Sequence, residues 1–151
     1  MHLSDEAATR ALGARLARVL DPGMSLYLRG DLGSGKTTLV RGLLRDLGYE
    51  GRVKSPTYSL VELYAVSRLN LHHFDFYRFN EPKEWRDAGF GEYFNDASVC
   101  LVEWPEKAAG FLPDADIDIA FAFSGEGRDV SVRAGTQRGN ACISRLMQMP
   151  P

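Results

Sequence analysis

Three features of the sequence predict a single α/β domain with a mixed, mainly parallel sheet flanked by helices and closed by a C-terminal antiparallel hairpin. Short apolar runs of strand length alternate with stretches of helical spacing, as expected where crossover helices join parallel strands. One run, SVCLVEW (98–104), is apolar without alternation, the composition of a strand covered on both faces. The last two runs, IDIAFAF (117–123) and DVSVRA (129–134), are separated only by SGEGR, a connection that suits a hairpin and is too short for a crossover.

The elements follow in order. Ser4 or Asp5 can cap a helix beginning at Glu6, along which Ala7, Leu12, Leu16, Ala17 and Leu20 recur at helical spacing until Asp21-Pro22-Gly23 stops it. MSLYLR (24–29) is a short strand that runs into a glycine-rich loop. From Lys36 the chain is helical up to Gly48, which has the character of a C-cap. After the loop 49–55, alternation predicts strands over 57–66 and 69–79, with a turn at Ser67-Arg68. Asn80 and Pro82 open a short helix that ends near Gly89. A final short helix is expected near 139–148. Residues 1–134 read as the functional domain, and 135–151 as a tail of the same domain with no assigned function.

With 151 residues, 44% of them apolar and 25% charged, the chain is long enough to bury one core without disulfides or metals. Its 20 acidic and 18 basic side chains leave a net charge of −2. That balance argues against a protein that grips DNA or RNA unaided, which carries a basic surplus on one face. Cys100 and Cys142 lack metal-ligand spacing and are expected to be buried, inert thiols. MHLSDEAATR places charges where a signal peptide needs apolar residues, and no run has the length of a membrane span. The expected compartment is the cytosol.

The loop Gly30-Asp31-Leu32-Gly33-Ser34-Gly35-Lys36-Thr37 matches G-x-x-x-x-G-K-[ST] at every fixed position. Four such positions coincide by chance in a chain of this length less than roughly 1% of the time, given a glycine frequency near 7%. Backbone N–H groups of such a loop converge on a β-phosphate, and the helix N-terminus behind it adds positive potential. Lys36 would neutralise β/γ oxygens and the Thr37 hydroxyl would ligate Mg2+. The domain is therefore expected to be P-loop NTPase-like, with ATP/ADP and Mg2+ as cofactors.

Hydrolysis also needs a carboxylate at a strand end. Asp75, closing LNLHHFD, and Glu103, closing VCLVE, both qualify, because ligands of open α/β sheets gather at the carboxyl ends of the strands. Either one can hold the metal while the other completes its shell or orients water. Lys54-Ser55-Pro56-Thr57-Tyr58 is a hydroxyl-bearing loop that can sense a γ-phosphate as switch loops do, or be an ordinary turn. Read locally, Trp104 is a core residue. His72 and His73 point to opposite faces of their strand, cannot share a metal, and read as structural. Without N-K-x-D, guanine recognition is unsupported, and without an arginine-rich lid or acceptor insertion a small-molecule kinase is disfavoured.

Taken together these motifs resemble the TsaE (YjeE) family of bacterial P-loop ATPases in tRNA threonylcarbamoyladenosine biosynthesis. The resemblance spans about residues 4–134, through EAATRALGARLA, GDLGSGKTTLVRGLL, VKSPTYSLVELY, HHFDFYR, LVEWPEK and LPDADIDI. It implies that Gly33, Ser34, Gly35, Lys36 and Thr37 serve the phosphates and Mg2+, that Thr38 lies against the α-phosphate, and that Asp75 and Glu103 serve metal and hydrolysis. It further implies that Thr57 is a switch residue, that Trp104 forms part of the site wall, and that Thr9 and Arg128 approach the base or ribose. In this family the ATPase acts on a TsaB–TsaD pair, in which TsaD modifies the adenosine next to the anticodon using an adenylate made by TsaC. Contact with tRNA would be indirect, and intrinsic ATPase activity feeble. The rival functions are a nucleotide-dependent binding module without essential hydrolysis, and a small-molecule kinase.

Overall fold

Seven strands lie side by side in a computed structural model that describes residues 1–150. The strands are β1 (His2–Leu3), β2 (Ser25–Arg29), β3 (Val61–Val66), β4 (Leu69–Asp75), β5 (Ser98–Glu103), β6 (Ile117–Ser124) and β7 (Gly127–Ala134), and the helices are α1 (Glu6–Ala17), α2 (Lys36–Asp46), α3 (Glu84–Asp87) and α4 (Gln137–Gln148). They form one sheet of order β1-β7-β6-β2-β5-β4-β3. The central strands β6, β2, β5 and β4 are parallel, and antiparallel pairs flank them at both edges. This is the mixed, mainly parallel sheet with a terminal hairpin that the sequence predicts.

Each face of the sheet has its own apolar cluster. On one face Leu26, Leu28, Leu71, Leu101, Ile117 and Ile119 pack under α1 and α2. Burial of Leu39, Val40, Leu43 and Leu44, each fully covered, fixes the face that α2 turns to the sheet, at about 1.5–3 kcal/mol per side chain. Close approach of α1 and α2 depends on two glycines. A Cβ on Gly42 would lie 2.6 Å from the Arg10 Cα, and one on Gly13 would lie 2.8 Å from the Leu43 nitrogen. On the other face Tyr27, Phe74, Phe76, Phe79, Phe90 and Val102 form an aromatic cluster covered by the segment after β4.

Several boundaries differ from the sequence reading. The strand expected over 57–66 begins only at Val61, because the Thr57 and Ser55 hydroxyls turn toward Asp75 and Leu60 takes a left-handed φ of 70°. β4 stops at Asp75 rather than at residue 79, since the Asp75 carboxylate accepts the Tyr77 backbone N–H at 2.9 Å and turns the chain. Asn80 is not the helix cap: the N–H groups of Asn80 and Glu81 donate to the Glu84 carboxylate, and helix α3 is only four residues long. The hairpin strands extend to Ser124 and Gly127, which leaves a tighter turn than SGEGR suggested. α1 begins as expected, with Asp5 as its cap, but ends at Ala17. The two-residue β1 is too short for any periodicity to reveal.

α4 is longer than expected, begins under a Thr136 cap, and buries Cys142 and Leu146 in the main cluster. Asp116 ties it down. Its carboxylate accepts from Thr136 Oγ1 at 2.7 Å, from Arg138 Nε at 3.1 Å and from the Ser25 N–H at 2.9 Å. Burial pushes the Asp116 carboxyl up, but these donors outweigh it and hold the group below the usual carboxylate range. Both thiols are buried as expected, and burial pushes Cys100 up to about 12 and Cys142 up to about 11. Among the described residues no helix is long and apolar enough to cross a membrane.

Candidate functional site

β2 delivers the glycine loop to the carboxyl edge of the sheet, and α2 starts at its end. Gly35, the N-cap of α2, has a φ of 115° that an L side chain rarely adopts, so the motif's glycine is required there by the backbone. Lys36 is buried and folds back over its own loop, where Nζ donates to the Gly30 carbonyl and, at 3.1 Å, to that of Asp31. The same ammonium lies 4.2 Å from the centroid of the Trp104 ring. Burial lowers the Lys36 pKa, opposed by the negative charge of Glu103 and Asp75.

Strand parity brings the acids to the loop. Asp75 and Glu103 are register partners at the ends of β4 and β5, both on the face that α2 covers, and both are 3% exposed. Buried carboxylates must be hydrogen-bonded, and each has found different partners. Glu103 accepts from Thr37 Oγ1 at 2.9 and 3.2 Å and meets His73 Nε2 at 2.6 Å. Asp75 accepts from the hydroxyls of Ser55 and, at 3.2 Å, Thr57. Thr37, Glu103 and Asp75 are thus a hydroxyl and two carboxylates at one strand edge, a hard-oxygen donor set that fits Mg2+ held jointly with phosphate.

A groove of about 400 Å3 opens over this arrangement, lined by the loop together with Thr38, Thr57, Asp75, Tyr77, Glu103 and Trp104. Trp104 is therefore a wall residue, half-buried where it also packs against the aromatic cluster. Its left-handed φ of 60° is an outlier for a bulky side chain, at a cost of about 1–3 kcal/mol that turns the indole toward Lys36. Thr9 is buried and lines a smaller adjoining recess of about 70 Å3 with Thr38 and Arg128. The Arg128 guanidinium is committed to the loop itself: Nε donates to the Ser34 carbonyl at 2.9 Å and Nη2 to that of Gly33 at 3.1 Å. A larger open groove, about 770 Å3, lies along β2, β6 and β7 near the Arg29–Asp118 ion pair. It has no comparable convergence of backbone donors and acids, so size does not choose the site.

The structure brings together every residue that the sequence singled out for phosphate, metal and switch. Within the candidate switch loop Ser55 binds Asp75 alongside Thr57. The structure adds one residue: His73, read as structural, is fully buried against Glu103. The spacing HFD held a signal for it, since residues two apart on a strand share a face. His72 does point the other way, to Ser98 Oγ at 3.1 Å.

A family profile described as "Threonylcarbamoyl adenosine biosynthesis protein TsaE" matches residues 3–130. A Haemophilus influenzae protein named tRNA threonylcarbamoyladenosine biosynthesis protein TsaE is 41% identical over 148 residues, 95% of this chain and 94% of that protein. A Bacillus subtilis protein of the same name is 38% identical over 118 residues, 78% of this chain and 73% of that one. Among solved structures, Bacillus subtilis YdiB superposes with a TM-score of 0.85 at 29% identity, covering 98% of this chain and 93% of its own.

Proposed function

Because the chain belongs to the TsaE family of threonylcarbamoyl adenosine biosynthesis proteins, we propose that it is the ATP-binding and ATP-hydrolysing component of the tRNA N6-threonylcarbamoyladenosine machinery. It works in the cytosol with TsaB and TsaD and meets tRNA only through them. The observation that carries this reading is the contact between the loop's own Thr37 and Glu103, with Asp75 beside it, at the mouth of a groove. A loop used only to hold phosphate has no need of two buried carboxylates.

In this reading the N–H groups of residues 33–37 take the β-phosphate at the N-terminus of α2. Lys36 exchanges the Gly30 and Asp31 carbonyls for β/γ oxygens, and Trp104 keeps its ammonium aimed along the groove. Thr38 and Thr9 border the α-phosphate and nucleoside end. Bound Mg2+ would neutralise developing charge on the phosphates, held by Thr37 and a carboxylate of this pair. The other carboxylate orients the water that attacks the γ-phosphorus as the bond to the β-phosphate oxygen breaks, leaving ADP and phosphate. The Ser55 and Thr57 hydroxyls on Asp75 form the resting position of the switch loop, whose release accompanies γ-phosphate binding. A site with this resting contact hydrolyses ATP slowly alone and faster when a partner orders the loop.

Steady-state phosphate release with and without purified TsaB and TsaD tests the proposal. Stimulation by the pair supports it. An unchanged rate rejects partner activation and favours a nucleotide-dependent binding module, while phosphate on a small acceptor instead of water makes the protein a kinase.

A further inference from the structure

We propose that His73 is a positioning residue that holds the Glu103 carboxylate in its working rotamer, a role that rests on reading Glu103 as part of the hydrolytic site. His73 lies on β4 opposite Leu101, one residue pair before the Asp75–Glu103 pair, and is fully buried. Its Nε2 meets Glu103 Oε2 at 2.6 Å, while Thr37 Oγ1 reaches both oxygens of the same group.

Two observations characterise this contact. First, the other ring nitrogen, Nδ1, is buried without a partner. Whenever Nε2 donates to Glu103, Nδ1 is left either an unanswered acceptor or an unanswered donor, and both cost free energy. Of its neighbours on that face, Leu71 and Leu101 are apolar and Asp75 and Glu62 are acidic, so a leucine there would spare the Nδ1 cost but leave the buried Glu103 carboxylate one partner short. What sets His73 apart is the carboxylate that its other nitrogen holds, a buried acid that needs a partner. Second, on the proposed reading Thr37 would give its hydroxyl to bound Mg2+, and His73 would then be the remaining side-chain partner of Glu103 in the described structure. Without it the carboxylate is free to swing to the nearby Lys36 ammonium, whose charge it already stabilises, and would divert the lysine from phosphate.

His72 supplies an internal control. It too has an unpartnered Nδ1, but it faces the aromatic cluster, with its ring 4.7 Å from that of Tyr93, and bonds only a serine hydroxyl.

The test compares His73→Leu, His73→Gln and His72→Leu with the parent protein. The readouts are melting temperature, fluorescence titration with ADP, and single-turnover phosphate release in the presence of TsaB and TsaD. A carboxylate displaced by about 1 Å loses on the order of 10²-fold in rate. His73→Leu should therefore lose hydrolysis by that order and keep its ADP affinity within about threefold, while the buried carboxylate, one partner short, lowers its melting temperature. His73→Gln, whose amide nitrogen reaches about as far as Nε2, should recover most of the rate, and His72→Leu should keep all of it. Parental turnover in His73→Leu overturns the proposal. So does joint loss of ADP binding and melting temperature in both His73 variants, the result of a structural role. If the parent itself releases no phosphate, the hydrolytic reading fails separately, and a nucleotide-free crystal structure of His73→Leu then decides. Glu103 unmoved on Thr37 overturns positioning, and Glu103 swung away upholds it.

Discussion

Replacing Arg128 by methionine separates two ways in which a basic residue can serve a nucleotide. Resemblance to TsaE assigns Arg128 to the base or ribose, whereas its guanidinium is bonded to the carbonyls of Ser34 at 2.9 Å and Gly33 at 3.1 Å. In a trans peptide each carbonyl points opposite to the next N–H. Anchoring those two oxygens therefore aims the N–H groups of Ser34 and Gly35, and the effect belongs to the phosphates. A hydrogen bond to a charged group contributes about 1.5–3 kcal/mol when buried. Arg128 is half-exposed, and solvent reduces the pair to about 1.4 kcal/mol together, or tenfold in Kd. Methionine keeps apolar contact with the Phe123 ring, which lies 4.4 Å beneath the guanidinium, so the hairpin should stay folded. Competition titrations with ADP, GDP and pyrophosphate read the outcome. If Arg128 props the loop, all three weaken by the same factor of about ten. If pyrophosphate binding is unchanged while ADP weakens, with GDP for a ribose contact or alone for a base contact, the guanidinium reads the nucleoside and the propping argument is refuted; unchanged binding of all three refutes both.

The remaining predictions concern the acids, the lysine, the α4 anchor and the helix crossing. Glu103→Ala should lose single-turnover hydrolysis far more than ADP affinity, because on the proposed reading the group acts in the transition state; if Asp75→Ala does this and Glu103→Ala instead loses magnesium dependence, the two roles are exchanged. Lys36→Ala should weaken ATP by at least about a hundredfold in calorimetric titration, having lost charged bonds to two phosphates, and parental affinity would reject the loop's role. Asp116→Asn should lower the melting temperature at neutral pH. The folded pKa of Asp116 is depressed, so its stabilisation is present above the unfolded value near 3.9 and lost as pH falls through the folded one. The gap between parent and variant should therefore close in acid, and a gap independent of pH would exclude the carboxylate's charge as its cause. Gly42→Ala forces a methyl against the Arg10 backbone and should cost about 1–3 kcal/mol, a fall of roughly 2–12 °C in thermal unfolding.

Local chemistry is what the sequence by itself determined. The glycine loop, the strand before it, the helix after it and the acids closing two apolar runs each follow from neighbouring residues, so their existence was legible at once. Element ends were less so. β4 stops at Asp75 through a bond to the Tyr77 N–H two residues on, but β3 starts only at Val61 because the Ser55 and Thr57 hydroxyls turn to the same carboxylate from 20 and 18 residues away, which no short window contains. The same limit governed the site. Strand parity alone put Asp75 and His73 on one face, but only the parallel pairing of β4 with β5 set His73 against Glu103, thirty residues away in the chain. Only the return of β7 to the sheet laid Arg128 behind a loop 94 residues earlier. Tertiary structure decided these partners because a buried polar atom takes whichever complementary group the packing brings within about 3 Å, and sequence spacing carries no record of that distance.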